Sequence, residues 1–233
     1  MSLLRAFSKI GMALAIAGAS FAAHAVVIDF DALDSSSTQT PLNFDSGTFS
    51  EDGFTFSVSV VSDDSPPRAV LFDTTCVDAA CNGDTDLVPN TQGENGIEGN
   101  VLIVQEQGSN IPDDAGNPGG TITLTSTGSN AAFQFVGVSV IDDETFTFFS
   151  LIDGVQTLLD SETLTNDSET AALTFSSGFL QVGDSIVIQY AGSGGVDSLV
   201  LAPVPIPAAL PLLLSALAGL GLTARFRRKQ VTS

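Results

Sequence analysis

Residues 131–160, AAFQFVGVSVIDDETFTFFSLIDGVQTLLD, carry three apolar–polar alternations in close succession. A period of two sends successive side chains to opposite faces of an extended chain, and Phe, Val, Ile and Thr are the side chains that suit a pleated surface. The spacing predicts strands over Ala131–Asp142, Thr145–Ile152 and Val155–Asp160. Between the last two, Asp153-Gly154 tolerates the left-handed backbone that a two-residue type I′ hairpin requires.

Outward from this stretch the same pattern predicts strands at Val26–Leu33, Gly53–Val61, Ala69–Asp73, Val101–Glu106, Thr121–Ser126, Thr170–Phe175, Ser185–Tyr190 and Ser198–Leu201. No segment between Val26 and Pro203 holds a helical period, no internal repeat is visible, and Gly, Asn, Asp and Ser clusters separate the strands. The expected fold is all-β, an antiparallel β-sandwich of jelly-roll type spanning residues 26–203. In its first strand Val26, Ile28 and Phe30 would face the core, with Asp29 and Asp31 on the other side. The stretch from Thr74 to Asn100, rich in Asp, Asn and Gly, is too long for a plain connector and is the first place to look for function.

Both ends are apolar. Arg5 and Lys9 precede an apolar run from Ile10 to Phe21, and Ala23-His24-Ala25 supplies the small residues that a signal peptidase accepts. About 12 apolar residues fall short of the roughly 17 to 25 needed to span hydrocarbon, so residues 1–25 are expected to be a signal-peptide helix cleaved after Ala25. At the other end Val204, Pro205, Ile206, Pro207 and Ala208 precede an apolar stretch from Ala209 to Ala224, followed by Arg225, Arg227, Arg228 and Lys229. A helix from Ala208 to Ala224 would be about 25 Å long, enough to cross a slightly thinned bilayer with the basic cluster left on the cytoplasmic side.

This three-part tail over residues 204–233, VPIPA then an apolar helix then RFRRK, resembles the VPLPA variant of the PEP-CTERM sorting signal of exported Gram-negative proteins, with Ile206 where that variant usually has Leu. The resemblance implies recognition by a membrane-embedded exosortase. It also implies inner-membrane anchoring through the C-terminal transmembrane helix before processing, and delivery to the cell surface or an extracellular polymer afterwards. The run C-x4-CNGDTDL from Cys76 to Leu87, GNVLIVQE from Gly99 to Glu106, DDAGNPGGTIT from Asp113 to Thr123 and SGGVDSL from Ser193 to Leu199 resemble an ectodomain that recurs among such proteins. That second resemblance implies a sandwich with a glycine-rich, acidic rim and no assigned activity.

The chain's 27 acidic residues all fall between Val26 and Pro203, where Arg68 is the only Lys or Arg. Such a balance excludes nucleic acid and anionic lipid as natural partners. Two readings of the charge stay open: a soluble acidic surface suited to saline surroundings, or bound calcium where several carboxylates converge. Cys76 and Cys81 are the only cysteines, and outside the cytoplasm such a pair is most simply a disulfide.

With His24 lost to cleavage and no lysine before Lys229, the mature domain lacks the usual general base, the Schiff-base amine and the commonest zinc ligand. Carboxylate-pair glycosidase chemistry is what remains, and it ranks third. The leading expectation is a non-enzymatic surface or extracellular-matrix protein. A calcium-dependent carbohydrate-binding module for extracellular polysaccharide comes second, although stacking lectins use Trp or Tyr and this chain has no Trp and only Tyr190. Four groups qualify on composition as calcium sites: Asp84 and Asp86; Asp113 and Asp114; Asp142, Asp143 and Glu144; and Asp29 or Asp31 meeting Asp197, if the first and last strands are neighbours.

Overall fold

Two sheets, each of six antiparallel strands, account for the described residues of the computed structural model. Those residues are 24–33, 47–63, 67–75, 86–106, 114, 116, 118–128 and 132–204. His24–Val204 is one compact unit. The strands are β1 (Val26–Ile28), β2 (Thr48–Glu51), β3 (Phe54–Ser62), β4 (Ala69–Asp73), β5 (Asn100–Val104), β6 (Gly120–Gly128), β7 (Phe133–Ile141), β8 (Thr145–Ile152), β9 (Val155–Thr163), β10 (Thr170–Thr174), β11 (Ser185–Tyr190) and β12 (Gly195–Pro203).

The first sheet runs β10-β7-β12-β5-β4, with β1 beside β12, and the second runs β2-β3-β6-β11-β8-β9. Alternation decides which side chains meet between them. From the first sheet come Phe133, Phe135, Val138, Val140, Leu199 and Leu201, and from the second Phe56, Val58, Leu124, Phe146, Phe148 and Ile188, in one buried cluster. Phenylalanine carries much of the joint: the Phe133 ring meets Phe54 edge-on at 5.1 Å and Phe56 at 6.0 Å, and Phe135 meets Phe148 at 6.4 Å.

Strands β4 and β5 are apolar without alternation because they are covered twice. Their outward residues Val70, Phe72, Val101 and Ile103 form a second cluster with Ile141 of β7 and with Leu87 and Ile97. The chain from residue 86 to residue 99 therefore lies over the outer face of the first sheet.

Several strands differ by a few residues from the expected limits, β7 for one stopping at Ile141 short of Asp142 and β9 running on to Thr163, and three differences bear on the site. Strand β1 ends at Ile28, because Phe30 takes a left-handed backbone (φ 61) and Asp31–Leu33 then form a 3-10 turn. Strand β2 has too little apolar alternation to stand out, and its signal is the Asp52-Gly53 hairpin (φ 46 and 85), the twin of Asp153-Gly154 (φ 50 and 79). Strand β12 starts at Gly195 rather than Ser198, with a bulge after Asp197. The expected signal and C-terminal helices fall outside the described residues, and among those described no helix is long and apolar enough to cross a membrane.

Replacing Phe133 by Ala removes the ring that spans the two sheets and should cost about 3–5 kcal/mol in urea unfolding. Val155→Thr, on exposed edge strand β9, should stay within about 0.5 kcal/mol. Equal effects from the two would contradict the placement of the core.

Candidate functional site

Strand β12 is where the first acidic centre is assembled. Leu199 to Leu201 pair with Ile28 to Val26 of β1, so the end of the first strand lies beside the start of the last. Between Asp197 and Val200 the register against β7 slips, and Ser198 sits at φ 49. A bulge of this kind re-aims the adjacent side chain. Asp197 is 1% exposed: its Oδ1 accepts the Ser198 amide (2.5 Å) and its Oδ2 the Glu98 amide (3.2 Å).

Asp29 and Asp31 arrive from the other side. The Asp31 amide donates to Asp29 Oδ1 (3.2 Å), closing a local turn, and Asp31 Oδ1 accepts the Asn100 amide (2.8 Å). Gly99 is what allows Asp31 so close to the backbone. At φ +67, a Cβ there would lie 2.0 Å from Asp31 Oδ1. From β2 comes Glu51, 9% exposed, whose Oε1 accepts the Asp29 amide (3.2 Å) while its Oε2 has no hydrogen-bond partner.

Burial is the main reason these carboxyls hold their protons tightly. Asp197 is pushed up to about 8 by burial, with the charges of Asp31 and Asp29 adding and the amides of Glu98 and Ser198 opposing. Glu51 is raised to about 7, again chiefly by burial, helped by a hydrogen bond with the Asp29 carboxyl. Asp31 is also raised by burial, against the pull of the Asn100 amide and with the charges of Asp29, Glu98 and Asp73 adding. The side chains whose charges act most on these three carboxyls are themselves acids.

A second group lies in the turn after β7 and the loop after β9. One carboxylate oxygen from each of Asp142, Asp143 and Asp167 falls within 4.8 Å of the others, an arrangement able to hold a metal ion. Adjacent acids in a strand would point apart, but Asp142 stands just past β7 at φ 94.

The remaining sequence candidates are placed differently. Asp86 uses Oδ1 on the Leu87 amide (3.0 Å), and its charge acts on Asp142 rather than on the first centre. Asp114 is buried, forms an isolated bridge with Gln105 and accepts the Gly194 amide, tying the lead of β12. Asp84, Asp113, Cys76 and Cys81 lie outside the described residues, as do the tail residues Pro205, Ile206, Pro207, Ala208, Arg225, Arg227, Arg228 and Lys229. Ala25 is exposed, and the Val204 amide donates to the Ala132 carbonyl (2.9 Å). Glu51 was not among the sequence candidates. The Asp52-Gly53 turn beside it is the signal that could have placed it on a strand.

On the outer face of the second sheet a cleft of about 370 Å³ is lined by Val61, Asp63, Thr121, Thr145, Thr147 and Gln189 among others. It offers no aromatic platform from Tyr190, whose ring packs on Phe146 at 5.5 Å and whose hydroxyl donates to the Leu102 carbonyl (2.9 Å) in the interior.

No family model matches the chain, and no curated protein does. Among solved structures, two variants of a family 29 carbohydrate-binding module align with TM-scores of 0.35 and 0.33, each at 11% identity. They cover 78% and 80% of this chain and 86% and 96% of theirs. Similarity at that level leaves the sandwich to be argued from its own strands.

In divalent-free buffer the first centre sets an unusual pH dependence. Asp197 binds its proton up to about pH 8 when folded, against about 4 when unfolded, and Glu51 behaves likewise up to about 7. Their stabilisation is complete below the unfolded values and is lost as pH rises through the folded ones. The urea midpoint should therefore fall between pH 5 and pH 9, and Asp197→Asn, which mimics the protonated acid, should flatten the fall. A midpoint that climbs over this range would contradict the assignment.

Proposed function

We propose that this chain is a non-enzymatic, exported surface or matrix protein whose sandwich, of jelly-roll type, is closed by calcium between its first and last strands. The observation behind this reading is the neighbourhood of Asp29, Asp31, Glu51 and Asp197, two of them buried: Glu51 accepts the Asp29 amide, and the charges of Asp29 and Asp31 act on Asp197, although these carboxylates are not gathered as closely as those of Asp142, Asp143 and Asp167. Calcium accepts six to eight oxygen ligands from carboxylates, carbonyls and water, and the orphaned, buried Glu51 Oε2 is an oxygen that such an ion would satisfy. The ion would take the place of the protons that otherwise hold these carboxyls neutral. The first and last strands would then be joined by ligands as well as by their backbone ladder.

The address of the protein belongs to the same proposal. The VPIPA motif, apolar segment and basic stop of residues 204–233 support sorting by an exosortase-type enzyme after signal peptidase has acted, with the surface of a Gram-negative cell or its extracellular polymer as destination. Mass spectrometry of the exported protein from its host should find residues 1–25 absent and the chain ending near Ala208. An intact polypeptide beginning at Met1 would contradict this.

A second reading, calcium-dependent binding of extracellular polysaccharide, is favoured by the cleft of Thr and Gln side chains on the second sheet. Retention on a polysaccharide that chelator abolishes would support it. A carboxylate-based hydrolase needs an acid of raised pKa facing its substrate, and neither Asp197 nor Glu51 lines that cleft.

For the calcium closure, melting with excess chelator and with millimolar calcium should differ. At free calcium 100 times the dissociation constant the gain is about 2.7 kcal/mol, several degrees for a domain of this size. Asp31→Asn with Asp197→Asn should remove most of that gain. A shift matched by equal magnesium, or none at all, would refute the closure.

A further inference from the structure

Two of the crossings between the sheets at one end of the sandwich meet at Asp142. Strand β7 of the first sheet leads through Asp142-Asp143-Glu144 into β8 of the second, and β9 of the second leads through residues 164–169 back to β10 of the first. The crossings are tied by backbone bonds: the Asp142 amide donates to the Glu169 carbonyl (2.9 Å) and the Leu164 amide to the Glu144 carbonyl (3.1 Å). Glu169 shapes the return loop, its Oε2 accepting the amides of Thr165 (2.9 Å) and Asn166 (3.1 Å), so its carboxylate is occupied with the loop itself. Asn90 and Asn95, from the segment covering the first sheet, donate to the carbonyls of Ser168 (3.5 Å) and Thr170 (2.8 Å). Asp167 is thus held opposite Asp142 and Asp143 by groups that are not themselves acids of the cluster.

Proximity of acids alone would say little, since exposed acidic turns are common. The independent observation is Asp142 itself. Its side chain is 0% exposed; Oδ2 accepts the Ser193 hydroxyl (2.7 Å), and Oδ1 is buried with no hydrogen-bond partner. A carboxylate oxygen out of water and unpaired costs free energy comparable to the loss of a charged hydrogen bond. Its backbone adds strain, with φ at 94 where a non-glycine residue is disfavoured. Burial raises its pKa against the pull of the Ser193 hydroxyl and the Asp143 amide, and the neighbouring charges of Asp86 and Asp143 are of the same sign. Such an arrangement persists when something compensates it, and a bound cation would do so.

We propose that Asp142, Asp143 and Asp167 form a second calcium site, independent of the one at Asp31 and Asp197, that clamps the β7–β8 and β9–β10 crossings together. The chemistry selects the ion. All three donors are carboxylate oxygens, which suit a hard cation. The three oxygens lie within 4.8 Å of one another, close enough to share one ion. Calcium's flexible shell of six to eight oxygens tolerates carboxylates drawn from two separate loops, whereas magnesium demands near-octahedral geometry and gives up its water reluctantly. Water completes the coordination on the exposed side, where Asp143 and Asp167 face solvent.

The test is calcium titration of the chelator-treated full-length protein by isothermal calorimetry. Asp143→Asn with Asp167→Asn, both exposed positions and so harmless to folding, should lower the stoichiometry by one relative to the parent. Asp31→Asn with Asp197→Asn should leave this site intact, which separates the two assignments. Should either double variant fold poorly, hydrogen exchange on the parent decides: the Asp142 and Leu164 amides should exchange at least tenfold more slowly with saturating calcium than with equal magnesium. An unchanged stoichiometry in the Asp143/Asp167 variant, or calcium-insensitive exchange at both amides, would overturn the proposal.

Discussion

Strand β12 is the member on which the rest of the sandwich depends. It pairs with β7 along one edge, while its other edge is divided between β5 at Gly195–Val196 and β1 at Leu199–Leu201. Sharing an edge requires a break in register, and the bulge at Asp197–Ser198 supplies it. The same bulge turns Asp197 into the space that β1 vacates when Phe30 bends away. Chain closure and the first acidic centre are thus consequences of one irregularity, and irregularities that persist at such junctions commonly mark functional positions.

The segment over the first sheet links that junction to the second acidic group. Leu87 and Ile97 seal it onto Val70, Phe72, Val101, Ile103 and Ile141 by apolar burial. Its polar atoms serve both acidic groups: the Glu98 and Asn100 amides hold Asp197 and Asp31, while Asn90 and Asn95 hold the loop that bears Asp167. Asp197 lies opposite Ser139 on β7, and Asp142 is three residues further along, roughly 10 Å at the rise of an extended chain. Two acidic groups that close thus lie beside one apolar cover.

Charge is the term that folding alone leaves unsettled. The carboxyls of raised pKa combine burial with like-signed neighbours, so either protons or cations must neutralise them for the compact state to hold. An extracellular setting rich in divalent cations would supply what the chain's own composition withholds, with 27 acids against the single Arg68 between Val26 and Pro203.

Alternation and hairpin dipeptides were local signals strong enough to be read directly: β4, β8 and β11 have the limits their apolar patterns indicate, and Asp153-Gly154 makes the expected turn. The acid excess and the absence of histidine and lysine from residues 26–203 were likewise fixed by composition, as was the three-part tail. Which carboxylates meet was not, because meeting depends on partners far apart in the chain. Glu51 reaches Asp29 only through the placement of β2, Asp197 turns inward only at a bulge, and Asp167 faces Asp142 only because two crossings stack. Pattern along a strand records which face a side chain occupies; the pairing of strands distant in sequence, set by the packing of two sheets on a common core, decides what that face meets.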